Sequence, residues 1–224
     1  KLDGRIDALA AAGKLNVAVE TVRRDLDVLQ RRGLLRRVHG GAIAASRFSH
    51  EFTFPERKGR NPEQKLRIAQ IASEYIPEEG CIFVDGGTTT EFLGEFLRNK
   101  PQLMVVTNSL SLASRIGESS TPLFFLSGRV RPTTLSAVGS KTVDDLMTYK
   151  AQIAFLGTNG IDLESGFTTV DPDEAAVKRK MIQNATETIV LADNSKFGAS
   201  YSALFAGFEN IDRLVTDVDA DPAH

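Results

Sequence analysis

Asp85-Gly86-Gly87-Thr88-Thr89-Thr90 follows directly on the apolar run Cys81-Ile82-Phe83-Val84, and its residue types suit the holding of an anion. Glycines let backbone amides approach a phosphate, threonine hydroxyls donate hydrogen bonds, and the N-terminus of a following helix adds favourable potential. The spacing is not that of a Walker loop and no Lys-Ser/Thr pair follows, so a single phosphate is the expected guest. A tight strand-to-helix turn capped by threonine explains the same residues without a ligand. Three further apolar runs, however, end in similar chemistry: Thr107-Asn108-Ser109, Gly157-Thr158-Asn159-Gly160 and Ala192-Asp193-Asn194-Ser195-Lys196. Amides, hydroxyls, carboxylates and an ammonium at one sheet edge are what a phosphorylated polyol requires. Asp171-Pro172-Asp173-Glu174 opens a helix with a cap, a proline and a glutamate, which accounts for Glu174 structurally. Lys178 on that helix either reaches the ligand or joins Arg179 and Lys180 on a solvated face.

A second group of residues calls for a different partner. Thr21 to Gly41 places the pairs Arg23-Arg24, Arg31-Arg32 and Arg36-Arg37 along one helix and a hairpin. Val19, Val22, Leu26 and Leu29 make an apolar stripe at helical spacing, which leaves Thr21, Arg23 and Arg24 away from the core. Gly33 supplies a stop, Leu34, Leu35 and Val38 suit a short strand, and His39-Gly40-Gly41 suits a tight turn. A helix followed by a basic hairpin is the layout of a winged helix-turn-helix, with the helix in the major groove and the wing along phosphates. A solvated basic face is the plainer alternative, but the basic residues continue past the helix into the turn.

The elements that position these groups follow from periodicity. The runs Cys81–Asp85, Leu103–Thr107, Leu123–Leu126, Ile153–Gly157, Thr188–Ala192 and Arg213–Thr216 are mostly apolar without strict alternation, as in parallel strands covered on both faces. Between them lie helices over Thr90–Arg98, Ser109–Gly117, Lys141–Leu146 and Glu174–Ala185, and another begins at Glu63. The result is an α/β domain with a mainly parallel sheet, which binds ligands at the C-terminal ends of its strands. The expected organisation is a winged helix-turn-helix over residues 1–45, a linker over 46–62 with Phe48, Phe52 and Phe54 as anchors, and a sensor domain over 63–224. A first helix from Arg5 to Ala12, stopped by Gly13, leaves only Lys14, Leu15 and Asn16 before Val17, less than one helical turn. The sequence therefore predicts either a disordered segment absent from the numbering near Lys14–Asn16 or a degenerate DNA-binding unit.

Composition bounds the partners. The first 48 residues hold ten Lys+Arg against five Asp+Glu, and the remainder 17 against 24, so a basic head sits on an acidic body despite a net charge of −2. Such asymmetry fits nucleic-acid contact through one end. The single Cys81 excludes an internal disulfide and supplies no metal cluster. Neither a membrane span nor a signal peptide is visible, so a cytoplasmic location is expected.

Both halves resemble the DeoR family of bacterial sugar-metabolism repressors. The head carries Thr21-Val22-Arg23-Arg24-Asp25-Leu26, Leu29, Gly33-Leu34-Leu35 and Arg37-Val38-His39-Gly40-Gly41-Ala42. The body carries Val84-Asp85-Gly86-Gly87-Thr88-Thr89, Thr107-Asn108, Gly166-Phe167-Thr168-Thr169, Glu174, Lys178, Ala192-Asp193-Asn194-Ser195-Lys196-Phe197-Gly198 and Leu214-Val215-Thr216-Asp217. The resemblance implies that Thr21, Arg23 and Arg24 face an operator, with Arg36, Arg37 and His39 at its backbone. Asp25 is equally a helix-face partner for an arginine. Where the family usually has a serine cap this chain has Ala18, a loss of about 1 kcal/mol unless Asn16 shifts the helix start.

For the body, the resemblance implies a fold similar to ribose-5-phosphate isomerase, no cofactor, and a sugar-phosphate effector held through Asp85, Gly87, Thr88, Thr89, Asn108, Asp193 and Lys196. The strand ends add Gly86, Thr107, Gly157 and Asn159, and Lys178 completes the candidate set. Arg129 and Arg131 are open to the phosphate, a partner subunit or solvent. The expected function is a DNA-binding repressor of a carbohydrate-utilisation operon, a homodimer or homotetramer, with fructose 1-phosphate as one plausible effector. The alternative is a sugar-phosphate isomerase or deaminase using Asp85, Asp193 and Lys196, which leaves the arginine-rich head unexplained.

Overall fold

A computed structural model describes residues 5–31, 35–38, 40–44 and 51–217. The chain forms two compact units, Lys1–His50 and Glu51–His224.

In the first unit, strand β1 (Arg5–Asp7) leads into helix α1 (Ala8–Leu15), and α2 (Val19–Arg31) is followed by the hairpin β2 (Leu35–Val38) and β3 (Gly41–Ala44). Asp7 starts α1 by accepting the Leu9 and Ala10 amides at 3.0 and 2.9 Å. Gly13 does not stop this helix. It lies inside α1, which closes at Asn16 in the left-handed conformation (φ 53°). Only Asn16, Val17 and Ala18 then separate the two helices, with the Val17 amide bonded to the Ala12 carbonyl at 3.1 Å. The short spacing near Lys14–Asn16 is spanned by a helix-to-helix turn. Asn16 ends α1 rather than capping α2, so the alanine at position 18 is not compensated by that route.

The apolar stripe of α2 packs as its spacing predicts. Val22 and Leu26 are buried with Ala8, Ala11, Ala12 and Ala42, and Val19, Leu29 and Leu35 pack against them. Strand β3 pairs antiparallel with both β1 and β2, and Gly40 takes φ 80° at the hairpin turn, where a side chain would be disfavoured. Gly33 and His39 lie outside the described residues. Because Asp7 satisfies two otherwise unpaired helix amides, Asp7→Ala should cost about 1 kcal/mol locally. Hydrogen exchange of the Leu9 and Ala10 amides should rise about five-fold, with the second unit unchanged.

The second unit begins earlier than expected. Residues 51–62 are part of its fold, because α3 (Phe54–Lys58) buries Phe54 and is opened by a Thr53/Glu56 capping box. Then follow α4 (Pro62–Ser73), β4 (Gly80–Val84), a 3-10 turn over Thr90–Leu93, α5 (Gly94–Leu97), β5 (Leu103–Thr107), α6 (Leu110–Ile116) and β6 (Leu123–Phe125). The hairpin β7 (Arg129–Arg131) and β8 (Ser136–Val138) leads to α7 (Ser140–Leu146), β9 (Ala151–Gly157), β10 (Gly160–Asp162) and β11 (Gly166–Thr169). Last come α8 (Pro172–Asn184), β12 (Ala185–Leu191), β13 (Ala203–Ala206) and β14 (Arg213–Val215).

All six predicted strands enter one parallel sheet, in the order β14-β12-β9-β4-β5-β6. Its apolar residues divide into two cores, one around Phe83, Leu156 and Met181, the other around Ile82, Phe155 and Ile68. The chain runs from β4 outward to β6 and returns to β9 on the other side of β4. The direction of winding reverses between β4 and β9, and their carboxyl ends open a crevice there. The antiparallel sheet β10-β11-β13 and the β7-β8 hairpin were not foreseen. Cys81 is buried at the start of β4, and burial pushes its thiol up to about 11, so it is inert packing.

Candidate functional site

The crevice at the ends of β4 and β9 is a cleft of about 410 Å³, counting its open mouth. One wall is the loop Gly86-Gly87-Thr88-Thr89 and another is Gly157-Thr158-Asn159. Arg57, Glu174, Lys178 and Lys196 contribute charged groups. The loop takes its course because Gly86 donates its amide to Asn108 Oδ1 at 2.9 Å and packs on Ser136 so closely that a Cβ would lie 1.8 Å from Oγ. Thr90 ties the loop back by donating to the Asp85 carbonyl at 2.7 Å. The Thr88 and Thr89 hydroxyls make no hydrogen bond among the described residues, and both side chains are nearly buried. A short 3-10 turn follows rather than a long helix, so the loop offers an anion its amides and hydroxyls more than a helix dipole.

Several expected contacts have other work. Thr107 donates to the Val84 carbonyl at 2.5 Å and accepts the Ser109 amide, and it is fully buried. Asn108 uses its oxygen on Gly86 and its nitrogen on the Ala137 carbonyl at 3.1 Å. Both therefore shape the loop, and neither is among the residues lining the cleft. Asp193 caps the 3-10 turn Asn194–Lys196 through the Ser195 amide and also accepts from Asn61 Nδ2 at 3.3 Å. Burial alone would raise its pKa, but Lys196, Ser195 and Lys65 outweigh this and hold the carboxyl below its usual range. Asp193 supports Lys196 from behind, and the ammonium lines the cleft, where desolvation pushes its pKa down.

Lys178 is not on a solvated face. It is buried at the cleft floor, paired with Asp85 and donating to the Gly157 carbonyl at 2.8 Å. Asp85 also accepts the Gly157 amide at 3.3 Å, and burial raises its carboxyl even against the Lys178 charge. This pair joins the ends of β4 and β9 beneath the cleft.

The second unit also supplies groups the sequence did not single out. Arg57, from the stretch read as linker, lines the cleft with its Nε buried and unpartnered. Behind it Lys65 is almost fully buried, donates to the Arg57 carbonyl, and is pushed down to about 8 by burial. The signal was present in Thr53-Phe54-Pro55-Glu56, a helix start that puts Arg57 on a helix of this unit. Arg131 is turned away from solvent and is not among the residues lining the cleft. Its guanidinium contacts Glu51 at 2.6 Å, Glu174 at 2.8 Å and Asp171 at 3.1 Å. Arg129 makes an exposed pair with Asp173 at 3.0 Å.

On the first unit Thr21, Arg23 and Arg24 are exposed on α2, opposite buried Val22 and Leu26. Arg23 pairs with Glu20 at 3.2 Å, an exposed contact that competes weakly with a ligand. Arg37 differs. It is turned toward α2, with Nε 3.5 Å from Asp27, and its own amide donates to Gln30 Oε1 at 2.7 Å. Arg36 pairs with Ile43 in the β2-β3 ladder, and its side chain, like His39, lies outside the described residues.

A family model described as the DeoR C terminal sensor domain matches residues 60–218, and one described as the DeoR-like helix-turn-helix domain matches residues 4–48. The chain belongs to the DeoR family. It is 38% identical over 204 residues to the uncharacterized HTH-type transcriptional regulator FruR of Bacillus subtilis, covering 91% of this chain and 81% of that one. It is 30% identical over 218 residues to the glycerol-3-phosphate regulon repressor of Escherichia coli, covering 97% and 86%. Among solved structures, ribose 5-phosphate isomerase A of Methanocaldococcus jannaschii superposes with a TM-score of 0.45 at 20% identity, over 61% of this chain and 55% of that one. The DeoR-family assignment makes this protein a DNA-binding transcriptional regulator rather than an enzyme. Among the described residues no helix is long and apolar enough to cross a membrane, and no group of three or more His, Cys, Asp or Glu could hold a metal ion.

Proposed function

We propose that this DeoR-family regulator represses a carbohydrate-utilisation operon and is released from its operator by a phosphorylated sugar or polyol bound in the β4-β9 cleft. The observation that carries the reading is the cleft itself. Arg57 and Lys196, with Lys65 behind, face a glycine-threonine loop whose hydroxyls are unpaired among the described residues. Cations on one side and donors on the other suit a phosphate. Glu174 and Asn159 at the opposite wall suit hydroxyl groups of the attached carbon chain. The name of the Escherichia coli relative, a glycerol-3-phosphate regulon repressor, supports a phosphorylated polyol. Fructose 1-phosphate is the effector to test first.

On the DNA side, Thr21, Arg23 and Arg24 read base edges, while Arg36, Arg37 and His39 lie along the backbone. Two copies in a homodimer present two recognition helices to two half-sites. Effector binding shifts the regulator toward a state that fits DNA poorly, which requires different effector affinities in the two states.

The test is a thermal-shift comparison of the full chain with fructose 1-phosphate, glycerol 3-phosphate, ribose 5-phosphate and unphosphorylated fructose. A ligand of the native state at about 100 times its Kd stabilises by about 2.7 kcal/mol and raises Tm. Only phosphorylated compounds should do so, and Lys196→Ala should lose the shift and the inducer response while still binding operator. An equal shift from fructose, or normal inducer release of the Lys196→Ala variant, refutes the reading.

A further inference from the structure

Two residues at the start of the second unit are gripped by arginines, and both arginines belong to the charge cluster around the cleft. Glu51 is the first residue of that unit, so chain continuity makes it the point where the polypeptide arrives from the DNA-binding unit. Its carboxylate takes both terminal nitrogens of Arg131, at 2.6 and 3.2 Å, and only 8% of its side chain is exposed. Phe52 lies under the Arg60 guanidinium, 3.5 Å from its ring centroid. The next residues are fixed independently, by burial of Phe54 and by the Lys58–Glu91 pair at 2.9 Å.

Arg131 is shared. Besides Glu51 it neutralises Glu174, which lines the cleft, and Asp171, which caps the same helix α8. Arg57 is the second cation whose field favours Glu51 and Glu174, and it too lines the cleft, with an unpartnered Nε. Arg131 therefore pairs with three carboxylates, while Arg57 adds only its field and has a donor to spare for an anion. A bound phosphate draws Arg57 toward itself and adds negative potential. Glu174 keeps the Lys178 charge beside that of Arg131, whereas Glu51 is then left to Arg131 and becomes too costly to keep buried. Asp171 is retained by the Glu174 amide at 3.0 Å and Glu174 by the Thr169 hydroxyl at 3.0 Å. Glu51 sits in no helix or strand and is the carboxylate whose departure disrupts least.

We propose that the Glu51–Arg131 ion pair is the latch through which anion occupancy of the cleft frees the segment entering the DNA-binding unit. The inference rests on the proposed phosphate site and adds its output step. Arg131 and Glu51 act as positioning residues, with Arg57 as the cation that senses the anion.

Hydrogen exchange of the 51–56 segment in the full chain tests it, with fructose 1-phosphate and inorganic phosphate as probes and Tm followed in parallel. In the wild type, a probe that raises Tm should increase exchange of this segment about ten-fold, the signature of local opening. Glu51→Gln keeps the shape and removes the charge. It should show fast exchange without any probe, little further response, and a Tm shift at least as large as the wild type's, because the anion no longer has to open the latch. A Tm shift with unchanged or slower exchange at 51–56 overturns the latch and leaves the phosphate site standing. So does a Glu51→Gln variant that responds like the wild type. Absence of a Tm shift with every phosphorylated probe overturns the site and the latch together. The wild-type measurement decides by itself should Glu51→Gln fail to fold.

Discussion

Replacing Lys178 by methionine lowers the stability of the second unit by about 3–5 kcal/mol, the cost of stranding a buried partner charge. Both members of the Asp85–Lys178 pair are about 4% exposed, so neither can turn to water when the other is removed. The Gly157 carbonyl loses its 2.8 Å donor as well. The loss is bounded because Asp85 can take up a proton, and this gives the variant a distinctive pH dependence. Burial already raises the Asp85 carboxyl, with Lys178 pulling it down, and deleting the ammonium raises it further. A folded state that keeps a proton the unfolded chain has released gains stability as pH falls. Relative to the wild type, the variant should therefore recover stability from about pH 7 down to about pH 5, where a normal carboxyl would contribute no such gain. Glu174 and Asp193 slope the other way. Despite burial, Lys178 and then Arg131 hold Glu174 low, and Lys196 and Ser195 hold Asp193 low, so they favour folding above the unfolded pKa and lose that contribution as pH falls. Urea midpoints at the two pH values read the difference. Asp85→Asn combined with Lys178→Met should restore most of the loss, since no charge is then left unpaired. A Lys178→Met midpoint equal to the wild type's would show that the pair is not buried as described.

The same pair illustrates what the chain discloses before folding. The six parallel strands were legible because strands covered on both faces are apolar throughout, and Cys81–Val84, Leu103–Thr107 and Ile153–Gly157 are short apolar runs of strand length that the fold buries. The polar residues just beyond their ends marked the cleft for the same reason. Their individual roles were not legible. Asn108 and Asn159 are the same residue type at equivalent strand ends, yet Asn108 holds Gly86 and Ala137 whereas Asn159 lines the cleft. Which one faces a ligand is decided by the path of neighbouring backbone, and periodicity carries no information about that. Arg57 and Lys65 were hidden differently. Arg57 lies in a polar stretch punctuated by Pro55, Gly59 and Pro62, which reads as linker unless the capping box at Thr53 is given weight, and Lys65 lies on the expected helix, where a lysine gives no sign of burial. In the first unit, the left-handed Asn16 closed α1 where Gly13 seemed to, because an exposed glycine within a helix costs only about 1 kcal/mol and tertiary packing of Ala11 and Ala12 outweighs it.

Simultaneous replacement of Arg23 and Arg24 by alanine should abolish specific operator binding. The two side chains are exposed on α2 while Val22 and Leu26 hold the opposite face in the core, so the change removes charge without disturbing packing. A bidentate arginine–guanine contact is worth about 1–3 kcal/mol, so losing two such contacts weakens binding by about 2–6 kcal/mol, roughly 30-fold to 20,000-fold. Arg37→Ala has a different expected profile. Its guanidinium leans on Asp27 from the hairpin, so removal should weaken binding to all sequences alike and reduce the salt slope by about one unit, leaving discrimination unchanged. Measuring affinity for operator and for random duplex across a salt series separates the two classes. The Arg23/Arg24 variant must lose the preference for operator, and Arg37→Ala must keep it. Because the Lys178 and Lys196 variants alter only the second unit, their DNA affinity without effector should match the wild type wherever they remain folded. If the doubly substituted protein still prefers its operator, α2 is not the helix that reads the bases, and the hairpin becomes the reader instead.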